Sequence, residues 1–279
     1  MPYFKSDRAD IYYEDNGTGD PVIAVHGLIE NTFYWSLTGI ADAIASEYRF
    51  ISMDMRGHGQ TKITGDPPGY DVDTVGNDIM ALADHLGIER FHALTHSTGG
   101  FAAVRRAMKD SSRFATLVLT DTASFTSVMK GTPEKIREFH DNFAKTFENV
   151  SWSRMISFLK KNPGPFFRGI AESDRVEEMM STAENMIERN DPDSIAAFVR
   201  SFYTDPDPMT DGLKKIGCPA LIIYGSKDDL FIESSRHMAE NIPDSTLIEY
   251  PGVGHMTAIE APESLKKDLL DFFGKYPVS

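Results

Sequence analysis

Short apolar runs alternate with longer amphipathic stretches along this chain. Val22-Ile23-Ala24-Val25 and Ala220-Leu221-Ile222-Ile223 have no polar alternate position, the pattern of strands buried on both faces. Six such strands are predicted, over 21–26, 50–54, 91–95, 116–120, 220–224 and 246–250. Amphipathic stretches predict helices over 72–86, 98–109, 234–241 and 262–273. The segment around Ile11-Tyr12-Tyr13 is expected to open the sheet as an antiparallel strand before a turn at Asp15-Asn16-Gly17. Strand–helix alternation of this kind makes an α/β fold with a mostly parallel sheet.

The alternation stops over 124–207. Helical patterns there fall at 133–147, 153–160, 175–189 and 194–203, with no convincing strand. Pro163-Gly164-Pro165 interrupts the stretch, and Asp205-Pro206-Asp207-Pro208 closes it. It is too long for one crossover between parallel strands. The expected division is a core of 1–123 and 208–279 with a helical cap of 124–207 inserted between two core strands.

Charge and composition narrow the function classes. The chain has 42 acidic against 28 basic residues and a net charge of −14 at pH 7, which repels phosphate backbones and argues against nucleic acid as a partner. Cys218 is the single cysteine, so an internal disulfide framework and a cysteine-cluster metal site are excluded. No apolar run approaches the ~18–20 residues needed to span a bilayer. The first ten residues carry no apolar signal-like core. A soluble, cytoplasmic protein without a membrane partner is expected, as a monomer or small homo-oligomer.

The candidate chemistry starts at Phe91-His92-Ala93-Leu94-Thr95-His96-Ser97-Thr98-Gly99-Gly100. An apolar strand runs into a tight turn centred on Ser97, and a helix with a small-residue start follows. Such a turn exposes the serine Oγ at the top of the sheet and aims a helix N-terminus at any oxyanion formed there. Thr95 stands where the G-x-S-x-G pattern has its first glycine, so the motif is incomplete. Downstream come Tyr224-Gly225-Ser226-Lys227-Asp228 and Gly252-Val253-Gly254-His255, an acid and a histidine just past successive strands. Serine, acid and histidine at the C-terminal edge of one parallel sheet can converge. Upstream, His26-Gly27-Leu28 ends another strand and is placed to offer a backbone N–H.

With these residues the chain resembles the α/β-hydrolase family over nearly its full length. The resemblance rests on His26-Gly27, Asp54-Met55-Arg56-Gly57-His58-Gly59, Ser97-Thr98-Gly99-Gly100, Gly225-Ser226-Lys227-Asp228 and Gly254-His255, five strings in the family's order and spacing. Small-ester and lactone hydrolases and cofactor-free haloperoxidase-like members look most similar. The resemblance implies an α/β-hydrolase fold, with Ser97 as nucleophile, His255 as its base and Asp228 orienting the imidazole. The backbone N–H groups of Leu28 and Thr98 would bind the oxyanion. Asp121 also follows a core strand and is the alternative acid, with Asp228 preferred because its Gly-x-x-Asp string is intact. Relatives that open epoxides or remove halide use aspartate as nucleophile, and serine at position 97 argues against both reactions.

His26 and His58 read as structural histidines at the sheet edge. His96 either packs or lines the pocket. Asp229 reads as a solvated neighbour of Asp228. Nine of the 18 phenylalanines fall within 124–207, more than docking faces alone require. Trp152, Phe166, Phe167, Phe198 and Phe202 are the candidates for an apolar pocket roof. No phosphate loop or metal site is recognisable, and no cofactor is expected. The expected activity is hydrolysis of a bulky, apolar carboxylic ester or lactone through an acyl-enzyme. Carbon–carbon hydrolysis of a diketone-type substrate, a catalytically vestigial receptor, and perhydrolysis as a side activity remain as alternatives.

Overall fold

The computed structural model describes residues 2–148 and 150–278. Among them nine strands form one sheet: β1 (Tyr3–Ser6), β2 (Ala9–Gly17), β3 (Pro21–Val25), β4 (Arg49–Met53), β5 (Lys62–Ile63), β6 (Phe91–His96), β7 (Phe114–Thr120), β8 (Ala220–Gly225) and β9 (Ser245–Tyr250). Their spatial order is β1-β2-β4-β3-β6-β7-β8-β9, with β5 paired to β2. The pairs from β4 through β9 are parallel, while β1, β2 and β5 join antiparallel. The chain is an α/β fold with a mostly parallel sheet, as the strand–helix alternation predicts.

The two uninterrupted apolar runs sit inside the sheet because both faces are covered. Val22, Ile23, Leu221 and Ile222 are buried. Around the sheet lie α1 (Phe33–Ser36), α2 (Ile40–Ala45), α3 (Val72–His85), α4 (Thr98–Lys109), α10 (Thr210–Leu213), α11 (Ile232–Asn241), α12 (Thr257–Glu260) and α13 (Pro262–Phe273) among those outside the insert. The sequence places the strand at Ile11 correctly as antiparallel but misses β1, which precedes it. The expected turn at Asp15-Asn16-Gly17 lies instead within β2, paired to Ile51, Phe50 and Arg49. A bidentate contact between Arg49 and Asp15, at 3.0 and 2.7 Å, spans that pairing, and the chain turns after Gly17.

Between β7 and α10 come five helices and no strand among the described residues: α5 (Pro133–Ala144), α6 (Trp152–Lys161), α7 (Gly164–Ala171), α8 (Val176–Ile187) and α9 (Pro192–Phe202). The sequence reads α7 only as the break Pro163-Gly164-Pro165. Pro165 lies in the first turn, where its missing N–H has no intrahelical acceptor to lose. Phe167 and Ile170 then supply a buried face. Among the described residues no helix is long and apolar enough to cross a membrane.

The parallel topology matters for the site because it places five strand ends at one edge. His26, Ser97, Asp121, Asp228 and His255 all follow the C-terminal ends of β3, β6, β7, β8 and β9. A rigid sheet holds such residues to the tolerance that chemistry requires.

Candidate active site

β6 ends at His96 and α4 begins at Thr98, so Ser97 alone turns the chain. Its backbone adopts φ +46° and ψ −113°, a conformation that costs a non-glycine residue about 1–3 kcal/mol. Neighbouring strands hold it there. The Ser97 N–H donates to the Thr120 carbonyl at 3.0 Å, and Thr122 Oγ1 donates to the Ser97 carbonyl at 2.7 Å. The Gly99 N–H donates to the His26 carbonyl at 3.0 Å. A Cβ on Gly99 would lie 2.6 Å from the carbonyl oxygens of Val25 and His26, so only glycine lets α4 approach β3 this closely. Thr95 is tolerated in place of the first glycine because its side chain runs along the sheet. Its Oγ1 donates to the Val118 carbonyl at 2.7 Å.

Three side chains meet above this turn. His255 Nε2 lies 3.1 Å from Ser97 Oγ, and His255 Nδ1 lies 2.8 Å from Asp228 Oδ2. The carboxylate fixes the tautomer: Nδ1 donates to Asp228, which leaves Nε2 of the neutral ring free to accept from serine. All three are buried, and Ser97 is only 6% exposed. Asp121 is adjacent but bonded elsewhere. It accepts from the Gly225 N–H at 3.0 Å and from Thr257 Oγ1 at 2.7 Å. Burial, and then the charge of Asp228, push the Asp121 carboxyl well above the usual carboxylate range. Asp229 points away and pairs with Arg168 at 2.6 Å.

Leu28 and Thr98 follow the ends of β3 and β6, which pair in parallel, so their N–H groups stand at neighbouring strand ends. Thr98 is the first residue of α4, and its N–H is one of the donors a helix start leaves free. The turn beyond β3 is set by Ile29, at φ +59°, and by the Glu30 carboxylate, which accepts from the Gly27 N–H. His26 and His58 are scaffold. His26 Nε2 accepts from the Met55 N–H at 3.0 Å, and His58 Nδ1 donates to the Arg56 carbonyl at 2.9 Å. Burial holds His26 well below the usual imidazole range and lowers His58 to about 4, so both are neutral.

The expected roof residues separate. Phe166, at the start of α7, meets His255 edge-on with ring centres 4.9 Å apart. Phe198 and Phe202 stack on each other at 4.8 Å, deep in the interior, and Phe198 packs on His58 and Tyr70. Trp152 Nε1 donates to the Asn190 carbonyl at 2.6 Å, and Phe167 is buried. His96 is fully buried behind Ser97 and His255, with both ring nitrogens bonded. Sequence reasoning missed three neighbours of the site. Phe231 stacks on His255 at 5.1 Å, Tyr203 Oη lies 2.5 Å from Thr98 Oγ1, and Glu30 bonds His96. Phe231 and Glu30 each stand three residues after a motif residue, Asp228 and Gly27, which is the signal that could have found them.

Asp121, Asp228 and His255 bring donor atoms within 4.8 Å of one another. Gly225 and Thr257 engage the Asp121 oxygens, and Ser97 and Asp228 Oδ2 engage the two His255 nitrogens, while Asp228 Oδ1 is buried without a partner among the described residues; no metal is assigned to them.

Residues 20–262 match the family model described as alpha/beta hydrolase fold. The chain is 29% identical to a non-heme chloroperoxidase of Streptomyces lividans, over 96% of this chain and 97% of that protein. It is also 29% identical to the bifunctional esterase/perhydrolase DCH of Acinetobacter calcoaceticus, covering 95% and 96% respectively. Among solved structures, MenH from S. aureus superposes with a TM-score of 0.82 at 20% identity, covering 95% of this chain and 98% of that one, a likeness of fold. The chain therefore belongs to the alpha/beta hydrolase fold family, with a hydrolase role.

Proposed function

We propose that this protein is a serine hydrolase of bulky, apolar carboxylic esters or lactones, working through an acyl-enzyme. The observation that carries the reading is the relay Ser97 Oγ–His255 Nε2–His255 Nδ1–Asp228 Oδ2, with steps of 3.1 and 2.8 Å. Ser97 Oγ attacks the carbonyl carbon while His255 Nε2 takes its proton, and Asp228 stabilises the imidazolium as it forms. The carbonyl oxygen becomes an oxyanion held by the N–H groups of Leu28 and Thr98. Each such donor is worth about 3–4 kcal/mol in the transition state. The tetrahedral intermediate expels the alkoxide, which takes the proton from His255. Water then attacks the acyl-enzyme with His255 again as base, releasing the acid and restoring Ser97.

The inserted helices of 124–207 act in this reading as a cap. Phe166 beside His255 supports an apolar surface over the reacting atoms, which suits weakly polar substrates. Perhydrolysis is a side reaction of the same intermediate: hydrogen peroxide replaces water, and the product is a peracid. The names of the chloroperoxidase and esterase/perhydrolase relatives support including it.

The test is fluorophosphonate labelling followed by intact-mass analysis and an ester, lactone and diketone panel. One adduct at Ser97, lost in Ser97→Ala, with turnover of esters or lactones, is the expected result. An unlabelled protein that nonetheless binds apolar ligands would overturn the reading in favour of a receptor. Diketone cleavage without ester turnover would overturn it in favour of carbon–carbon hydrolysis.

A further inference from the structure

Behind the triad lies a second buried histidine–carboxylate pair that the relay does not use. His96 Nδ1 faces Glu30, 2.9 Å from Oε1 and 3.0 Å from Oε2. Its Nε2 lies 2.8 Å from the backbone carbonyl of His255. Glu30 accepts in turn from the Gly27 N–H, in the turn that carries Leu28. Both residues are buried, at 0% and 1% exposure, so water does not share these bonds. We propose that His96 and Glu30 are positioning residues: a doubly protonated His96, held by Glu30, ties the loop that presents the Leu28 N–H to the backbone of the catalytic histidine.

The geometry favours the doubly protonated ring. Both ring nitrogens face groups that only accept, a carboxylate and a carbonyl oxygen, so both must carry hydrogen. Loss of either proton would leave a nitrogen lone pair aimed at an oxygen lone pair inside the protein. Burial by itself favours the neutral ring. The Glu30 charge and hydrogen bond, followed by Asp121 and the His255 carbonyl, outweigh it and raise His96 to about 9.

The surroundings of the ring come from every side of the sheet edge. Tyr34 of α1 stacks on it at 4.6 Å, Asp121 beyond β7 lies 3.8 Å from Nε2, and the His255 ring is 5.0 Å away with Asp228 behind it. Charge on His96 in turn helps to hold His26 neutral, and Glu30 bears on the buried phenols of Tyr34 and Tyr203. The pair therefore sits where the oxyanion turn, the residue before the nucleophile and the base's backbone come together. Displacing any one of them by a fraction of an ångström affects the rate without changing the reacting groups.

The kinetic consequence rests on the serine-hydrolase reading, so the experiment has one arm that does not. Nitrogen-15 NMR of histidine-labelled wild type should show one ring that keeps both protons at pH 8 and titrates near 9. In Glu30→Gln that signature should move to lower pH by a unit or more. In the kinetic arm, Ser97 labelling by a fluorophosphonate should slow above pH 9 in wild type, and Glu30→Gln should shift that limb to lower pH. At pH 8 the variant's kcat on a turned-over ester should fall about 10- to 100-fold with KM nearly unchanged. His96→Gln is the second variant, and it should abolish the limb altogether. A neutral His96 at pH 8 would overturn the proposal, as would an alkaline limb that Glu30→Gln leaves in place. Failure of Ser97 to label in wild type, with the NMR signature intact, would sink the hydrolase reading and leave the charged pair standing.

Discussion

Tyr203, the residue that follows α9, places its phenol oxygen 2.5 Å from the hydroxyl of Thr98, the residue next to Ser97. Both side chains are buried, and His140 of α5 stacks on the Tyr203 ring at 5.6 Å. Burial raises the phenol far above its ordinary range, so it remains a neutral hydroxyl at every working pH. The helices between β7 and α10 are thereby hydrogen-bonded to the Ser97 turn itself.

Tyr203→Phe strips the Thr98 hydroxyl of this partner in a buried setting. Unfolding free energy should fall by about 1–3 kcal/mol, the cost of leaving one such group unpaired. Urea denaturation reads it directly. An unchanged transition midpoint and slope would show that the hydroxyl pair contributes nothing to stability.

Asp228 and Asp121 are separable by exchange for asparagine. Asp228→Asn removes the acceptor that fixes the His255 tautomer and should lower kcat about 10⁴-fold. Asp121→Asn keeps an oxygen for the Gly225 N–H and leaves the relay intact, so its loss should be far smaller. Comparing the two kcat values on one ester decides it, and a larger loss at Asp121 would reverse the choice of acid.

Phe166 and Phe198 were indistinguishable as sequence positions and differ sharply in place. Phe166→Ala opens space beside His255 and should change the preference between a bulky and a minimal ester by about 1–3 kcal/mol. Phe198→Ala cuts a cavity into the interior and should cost about 3–5 kcal/mol of stability while leaving the preference alone. Kinetics on both esters, paired with a melting curve for each variant, checks the contrast. Equal shifts in preference from the two variants would refute it.

His92 makes acid stability testable at a single residue. It is buried in β6, its Nδ1 lies 2.9 Å from Thr116 Oγ1, and burial lowers it to about 4. The unfolded chain takes up the proton near pH 6.5, the folded chain only near 4. The contribution of His92 is therefore fully present above the unfolded value and is lost as pH falls through that window. The slope is at most about 1.4 kcal/mol per pH unit. His92→Gln should unfold with a weaker acid dependence than wild type between pH 6.5 and 4. Parallel stability curves would show that His92 does not titrate on unfolding.

Much of this architecture was readable because the parallel strands need apolar residues on both faces. Ala220-Leu221-Ile222-Ile223 has no second interpretation at that length, and the residues just past such runs fall at one edge by topology alone. Helix α4, over Thr98–Lys109, and α13, over Pro262–Phe273, have the bounds their patterns predict. What escaped was long-range. Phe166 and Phe198 are equally apolar, and only tertiary packing decides which one meets His255. Glu30 carries no mark of its pairing in the sequence, since its partner His96 lies 66 positions away. Helix α7 was hidden by Pro165, which marks a helix start as readily as a break. Short β1 and β5 carry too few residues to show an alternation.

The backbone at Ser97 has a consequence for anyone selecting this protein for heat resistance. Its φ of +46° suits glycine and strains serine, so Ser97→Gly relieves strain worth about 1–3 kcal/mol, less the extra freedom glycine gains when unfolded. A library scored only on melting temperature would enrich that exchange and discard with it the hydroxyl proposed to react. Directed evolution here needs a catalytic screen in every round.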